Sequence, residues 1–505
     1  MTLELYPLFP FLALGILALV AMLLSVLVSN ATRVAYFSVA GLALVGVGSS
    51  AYGAHYPGGV ARMFGGAVWI DSFSVFFYGL FVMIGIISIL MAVPYLDRDQ
   101  QNHGEYYTLI LFALVGMFVM VSSNDLITLF LGFETMSLAV YTLTGYRRHV
   151  AASNEAILKY YFLGAFAAAI FLYGIALIYG TAHTVNLTLL HQLLLSPSLA
   201  AQPLMVLGAL MVLLAVAFKV AAFPFHMWLP DVYQGAPTPA TAFMATGVKA
   251  AAFALLLRLF FGLFASGDLH EIAVSVVWYL AVLTMFVGNV FALVQQNIKR
   301  LLAFSSIAHT GYLLVAVCAL PDADAAAAIM FYLVGYAFTN LGALACVSWL
   351  QHREERLQNV EDFAGAAWRH PLAGLGMAVC MFSLIGFPPT AGFFGKYYLF
   401  LAAIKAGYVP LVIIAIINSI LSVWYYLRVI VVMYMKPADE AETEQPTGWT
   451  GKVAIAYATV AVIWAGVGTV NLTALLPGAV PLLAHAKAAV ATMNGPAAAT
   501  ATIPR

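Results

Sequence analysis

The sequence predicts an all-α polytopic membrane protein forming a single membrane domain over residues 1–505. Three observations predict this. The chain is 64% hydrophobic and 8% charged, against roughly 25% charged in soluble proteins. Apolar runs of the length needed to cross a bilayer recur along its whole length. The polar stretches between them are short, which leaves no room for a soluble domain. Lys plus Arg and Asp plus Glu each number 21, so the formal charge is zero, and there is no electrostatic footprint for nucleic acid. Cys318, Cys346 and Cys380 stand far apart with no C-x-x-C and no Cys/His cluster. That pattern argues against a metal, haem or iron–sulfur site built by this chain.

At about 20 apolar residues per crossing, the chain holds about fourteen spans. The first, 6–28, has no basic segment before it and no clear cleavage site after it, and it reads as a retained span rather than a signal peptide. Spans at 34–54 and 73–95 follow. Runs at 106–122, 125–146, 155–180, 204–226 and 238–264 make a first group of five. A second group comprises 272–295, 300–320, 325–351, 372–407 and 410–436, and 452–474 completes the series. The polar loops 352–371 and 437–451 are too short to fold alone. The tail, 475–505, is rich in Ala, Thr and Pro and is expected to be loosely ordered beyond about residue 485.

Lys and Arg placement sets the orientation. Loops after odd-numbered spans, with the span ends beside them, hold most of the basic residues, among them Arg33, Arg98, Arg147, Arg148, Lys299 and Arg300. The other side holds Arg62, Lys405, Lys487 and Arg505, with Arg258 near that end of its helix. The odd-side loops are therefore predicted to be cytoplasmic and both termini to lie on the opposite side.

Two spans are interrupted. Pro224 follows Lys219 by five residues in the seventh, and Gly386, Pro388 and Pro389 precede Lys396 in the twelfth. Proline removes a backbone donor and clashes with the turn before it. Within lipid such a break survives only where protein or a polar cavity satisfies the freed groups. By span count the two broken helices run in opposite directions, the pattern of an inverted-repeat transporter. The repeats are placed at 106–264 and 272–436.

Charged residues lie deep inside these apolar segments: Glu134, Lys219, Lys249 and Lys396. Each costs on the order of 2.5–3.5 kcal/mol at mid-bilayer even on the insertion scale. Four together cost roughly 10 kcal/mol, as much as the net stability of an ordinary domain. Glu134 has two readings: a carboxyl tying two helices together, or a partner of Lys219. Desolvation favours a neutral amine and a nearby carboxylate favours the ammonium, so Lys219 is suited to exchanging a proton. Lys249 and Lys396 are too deep to reach the interface. Lys159 lies close enough to a span end to snorkel, with a supporting role in a polar path as the alternative. His309 sits among Ser305, Ser306 and Thr310, which favours a hydrated path over a lone buried imidazole. His226 and Asp231 flank the first break as gate or capping residues. Tyr425 and Tyr426 offer hydroxyls, though aromatic packing is the expected use. Glu4, Asp71, Asp97 and the charges of 352–371 read as solvated ends and loops.

Two stretches, KVAAFPFHMWLPDVYQGAPTPATAFMATGVKAA and NIKRLLAFSSIAHTGY, resemble the core motifs of the antiporter-like subunits of respiratory complex I. Mrp-type cation/proton antiporters and membrane-bound hydrogenases share those motifs. LGFETMSLAVYTLTGYRR and NEAILKYYFLGAFAAAIFLYGIALIYG narrow the resemblance to the N subunit of bacterial NADH:quinone oxidoreductase, as does a lysine in the twelfth span. The resemblance implies a proton relay. Glu134 and Lys219 would be its coupling pair, Lys249 the connection between halves, His309 part of a central polar axis and Lys396 the terminal lysine. Lys159, His226, Pro224, Pro388 and Asp231 would gate or support it. One departure is Gln234, where the family usually has Glu. The resemblance further implies a bacterial inner membrane with periplasmic termini. It implies other membrane-arm subunits, a lateral helix of the L subunit and lipids as partners. Flavin, iron–sulfur clusters and quinone would belong to other subunits, with no cofactor in this chain. Two other readings stand beside it: an Mrp-type cation/proton antiporter, with Na⁺ as open as H⁺, and a scaffold whose buried charges move nothing.

Overall fold

Burial rather than hydropathy sorts the helices of this chain into a centre and a rim. The computed structural model describes residues 6–55, 59–265, 267–351, 353–437, 448–470 and 478–493. Glu4, Arg505 and most of the 437–451 loop lie outside them. First come α1 (Phe9–Leu27), α2 (Ala31–His55) and α3 (Ser72–Arg98). A small antiparallel hairpin of β1 (Ala61–Met63) and β2 (Val68–Ile70) joins α2 to α3. Next are α4 (Gly104–Ser122), α5 (Leu126–Thr144), α6 (Ala151–Ala182), α7 (Pro203–Lys219), α8 (Trp228–Gly235) and α9 (Thr238–Phe261). The series α10 (Gly267–Leu293), α11 (Ile298–Val317), α12 (Ala323–Leu350), α13 (Pro371–Ile385), α14 (Ala391–Lys405) and α15 (Val409–Met435) follows. Last are α16 (Trp449–Val467) and α17 (Ala479–Ala491).

Among the described residues, twelve helices are long and apolar enough to cross a membrane. The most apolar stretches of α9 and α12 are 100% buried and that of α11 94%, against 28% in α1 and 39% in α6, α10 and α15. So α9, α11 and α12 form the centre. The rim helices turn equally apolar outer faces to their surroundings, as lipid or a neighbouring subunit requires.

Local chemistry sets the helix starts. Asp125 accepts from the backbone of Ile127 and Thr128, Asn297 from Lys299 and Arg300, and Asp322 from Ala325. Each such cap satisfies N–H groups that a helix start otherwise leaves unpaired. Small residues set the closest helix approaches. A Cβ on Gly116 of α4 would lie 2.4 Å from the Met136 nitrogen of α5, and one on Gly288 of α10 would lie 2.4 Å from the Ala308 nitrogen of α11. Such contacts let apolar helices gain by backbone packing where water supplies no drive.

Both interruptions fall where the prolines placed them, between α7 and α8 and between α13 and α14. Protein groups satisfy the freed backbone. Thr284 Oγ1 accepts from Phe223 N at 2.9 Å, Thr310 Oγ1 donates to Val220 O at 2.8 Å, and Trp228 Nε1 donates to Phe218 O at 3.2 Å. In the second break Gly386 takes φ +88°, and Lys396 Nζ donates to Leu384 O and Ile385 O, each at 2.9 Å. The tail corrects an expectation. Up to residue 493 the chain runs on through α17, which packs on α3, α12 and α16, and residues 494–505 lie outside the described residues. Lys487 of α17 pairs with Asp324 at the start of α12, 2.8 Å away.

Candidate functional site

Lys219 is the last residue of α7, where the negative end of the helix dipole favours a cation. Its ammonium is buried and donates to Ser137 Oγ of α5 at 2.8 Å. It also faces the rings of Phe133, Tyr160 and Tyr141 at 4.8, 5.2 and 5.5 Å, contacts that partly replace lost hydration. Glu134 is half-buried on the outer side of α5, and its Oε1 is buried without a hydrogen-bond partner. Among the described residues no carboxylate lies within ion-pair distance of Lys219, so it and Glu134 interact through space, with Ser137 holding the ammonium.

Lys249 follows a π-helical turn, Met244–Val248, inside α9. Such turns are rare and recur at functional sites. Its Nζ donates to the carbonyl and the hydroxyl of Ser306, both at 2.5 Å, and faces the Tyr336 ring at 5.1 Å. Tyr336 OH donates to the same Ser306 hydroxyl at 2.9 Å. Thr310, one turn along α11, donates to Val220 O and lies 3.2 Å from Ser306 O. It therefore links the residue after Lys219 to the residue that holds Lys249.

His309 is buried between two tyrosines: its Nδ1 bonds to Tyr332 OH, and its Nε2 lies 3.0 Å from Tyr426 OH. Tyr426 OH also bonds to Ser305. Tyr425 OH donates to Asn289 Oδ1 at 3.0 Å, and Asn289 Nδ2 donates to Tyr312 OH at 3.1 Å. Tyr425 and Tyr426 thus use their hydroxyls as well as their rings, where packing was the expected use. Lys396 Nζ lies 5.0 Å from the Tyr312 ring and donates to Ser419 Oγ at 2.8 Å, besides the two carbonyls ending α13. Lys219 precedes its break and Lys396 follows the other, yet both ammoniums belong to the C-terminal end of a first half-helix.

Two ion clusters lie at the starts of α8, α9 and α11. Asp231 of α8 accepts from Lys159 at 2.5 Å and from Arg300 at 2.6 Å. Lys159 therefore bridges Asp231 and Glu155 rather than snorkelling alone. Asp231 joins two cations and caps nothing. His226 stacks on Phe223 within the break, and its Nδ1 is buried without a hydrogen-bond partner. Pro224 lies within the first interruption and Pro388 within the second.

The reading of the 352–371 charges as solvated fails at Glu355, which is 1% exposed. Its carboxylate pairs with Lys299 at 2.7 Å and Arg147 at 2.8 Å, and accepts from Tyr95 OH at 2.8 Å. Burial pushes this carboxyl up, but Lys299 and Arg147 more than offset it and hold it at about 2. Asp71 is a second correction: it is buried, accepts from Ser74 N at 2.8 Å and takes a two-pronged contact from Arg258 at 2.8 Å. Ser137, Asn289, Tyr312, Tyr332 and Tyr336 were not singled out from the sequence. The spacing Ser305, Ser306, His309, Thr310, Tyr312 along one helix was the available signal for a polar stripe.

Acceptors and donors therefore alternate through the centre of the bundle, a chemistry suited to moving protons. Among the described residues, no group of three or more His, Cys, Asp or Glu side chains could hold a metal ion.

Comparisons with known proteins identify the family and the fold. The family model described as "NADH:quinone oxidoreductase/Mrp antiporter, TM" matches residues 123–422. NADH-quinone oxidoreductase subunit N of Trichlorobacter lovleyi is 44% identical over 443 residues, 87% of this chain and 89% of the relative. The subunit N of Paramagnetospirillum magneticum is 38% identical over 497 residues, 97% of this chain and 98% of the relative. A chain of respiratory complex I from Thermus thermophilus with bound aureothin is 33% identical with a TM-score of 0.76, covering 90% of this chain and 96% of that one. A chain of the Mrp complex from Dietzia sp. DQ12-45-1b shares the fold, with a TM-score of 0.85 at 21% identity over 98% of both chains. The chain belongs to the NADH:quinone oxidoreductase/Mrp antiporter transmembrane family and, within it, to the subunit N group of NADH-quinone oxidoreductase.

Proposed function

We propose that the chain is a proton-translocating subunit of the membrane arm of an NADH:quinone oxidoreductase, coupling redox energy released elsewhere to proton movement. The relay runs from Glu134 and Lys219 through Thr310 and Ser306 to Lys249, then by Ser305, Tyr426 and His309 to Tyr312, Asn289 and Lys396. One observation carries this reading: α11 presents Ser305, Ser306, His309, Thr310 and Tyr312 between the two helix interruptions, and all five hydrogen-bond to groups outside α11. Steps without a direct bond are assigned to water. Each newly protonated site pushes the proton held on the next one onward by like-charge repulsion in a low-dielectric interior.

Counting each broken pair as one crossing gives about fourteen spans. Residues 106–264 and 272–436 form the two inverted repeats. The matching close contacts of α4 with α5 and of α10 with α11 support that division. The ends carrying Arg147, Lys299 and Arg300 face the cytoplasm and both termini face the periplasm of a bacterial inner membrane. Lipid and other membrane-arm subunits cover the apolar rim, including a lateral helix of the L subunit. Flavin, iron–sulfur clusters and quinone reduction belong to other subunits in this reading. The test is Lys219→Ala or Glu134→Ala in the assembled complex. Protons translocated per electron should fall, and an undiminished ratio would sink the assignment.

A further inference from the structure

Glu355 stands outside the relay, yet it is more fully bonded than any lysine within it. Its Oε1 accepts from Thr238 N at 3.0 Å, Thr238 Oγ1 at 2.6 Å and Tyr95 OH at 2.8 Å. Its Oε2 takes Lys299 Nζ at 2.7 Å and Arg147 Nη2 at 2.8 Å. Thr238 is the first residue of α9, and Lys299 lies in the first turn of α11. One carboxylate therefore joins the starts of two central helices. Arg147 and Lys299 also donate to Gly235 O at 3.2 Å and Ala236 O at 2.8 Å, which fixes the short link from α8 into α9.

The same two helices meet again deeper in the bundle. From Thr238 to Lys249 is roughly 16 Å along α9, and from Lys299 to Ser306 roughly 10 Å along α11, at 1.5 Å per residue. There Lys249 Nζ bonds to the carbonyl and hydroxyl of Ser306. Between those two points α9 contains the π turn Met244–Val248.

We propose that Glu355 is a positioning residue for the Lys249 step: its carboxylate staples the first turns of α9 and α11 and so fixes the Lys249–Ser306 contact. The proposal rests on the relay reading above. It makes the segment carrying Glu355 a determinant of proton transfer deep within the bundle, through backbone register rather than through a proton carried by Glu355.

The experiment uses the assembled complex in inverted membrane vesicles. It reads NADH oxidation, protons translocated per NADH, and the amount of this subunit in the complex. Glu355→Gln leaves Arg147 and Lys299 as uncompensated buried cations, so the double variant E355Q/K299Q accompanies it and restores the local net charge. Both are expected to assemble, and both should lose the same share of protons per NADH as Lys249→Ala. Adding Lys249→Ala to Glu355→Gln should lower the ratio no further, and Glu355→Asp, which keeps the charge, should restore part of it. A wild-type ratio in Lys249→Ala alone would sink the relay reading itself. A reduced ratio there, with a wild-type ratio in both Glu355 variants, would overturn the positioning proposal alone. An additive loss in E355Q/K249A, or absence of both Glu355 variants from the complex, would also overturn it, since Glu355 would then serve assembly rather than Lys249.

Discussion

Thr310→Val isolates one link between the first interruption and Lys249. The substitution keeps the branched shape and removes a single hydroxyl. That hydroxyl donates to Val220 O at 2.8 Å and lies 3.2 Å from Ser306 O. Ser306 O keeps its bond from Lys249, so the loss falls on the Val220 carbonyl, beside Lys219. A buried carbonyl left unpaired costs about 1–3 kcal/mol. This is well below the 5–15 kcal/mol or so that holds a domain folded, so the complex should assemble. Spent on the arrangement that joins Lys219 to Lys249, the same energy shifts an equilibrium roughly 5- to 150-fold. Proton uptake per NADH in inverted vesicles should therefore drop while uncoupled NADH oxidation continues, and Thr310→Ser should restore it. A wild-type ratio in Thr310→Val, or no rescue by serine, would refute the reasoning.

Other predictions follow from the packing and the ion clusters. Gly116→Ala forces a Cβ to within 2.4 Å of the Met136 nitrogen. This overpacking should cost about 1–3 kcal/mol and displace α5 with Glu134 and Ser137, read as a lower melting temperature together with fewer protons per NADH. The Glu355 carboxyl is held at about 2, below its ordinary 4.5. A depressed carboxylate contributes stability that is fully present above the unfolded value and lost as pH falls through the folded one. The melting-temperature gap between wild type and Glu355→Gln should therefore shrink as the pH is lowered from about 5 towards 2. Lys487→Ala removes an exposed ion pair with Asp324, worth at most about 1 kcal/mol. Assembly and pumping should both survive it, and a large loss of either would show that α17 does more than cover the bundle.

Much of the architecture was legible because its signals are local. Apolar runs mark the spans, and prolines at 224, 388 and 389 mark the interruptions, each within a few residues of the observed break. Lys219, Lys249 and Lys396 stood out because their neighbours are apolar. Where the signal was tertiary, the sequence was silent. Glu355 sits in the run REER with Arg353, Glu354 and Arg356, and nothing in that run separates the carboxylate that folds inward from its exposed neighbour Glu354. Asp71 looks like any acid before a helix until Arg258, far along the chain, closes on it. Tyr425 and Tyr426 were read by their rings because composition does not reveal which hydroxyls meet Asn289, Ser305 and His309. The π turn before Lys249 has no composition signal, since Met-Ala-Thr-Gly-Val is compatible with an ordinary helix. The tail helix α17 was missed because an Ala-rich segment forms a helix largely through the packing it finds.

The central claim is that Lys249 carries protons between the two halves of the bundle. Its most direct test is the number of protons translocated per NADH by the assembled complex carrying Lys249→Ala, with NADH oxidation followed in the same vesicles. The account predicts that oxidation persists in uncoupled vesicles while the proton count falls by the share of one pumping subunit. An assembled Lys249→Ala complex that moves as many protons per NADH as wild type would contradict it.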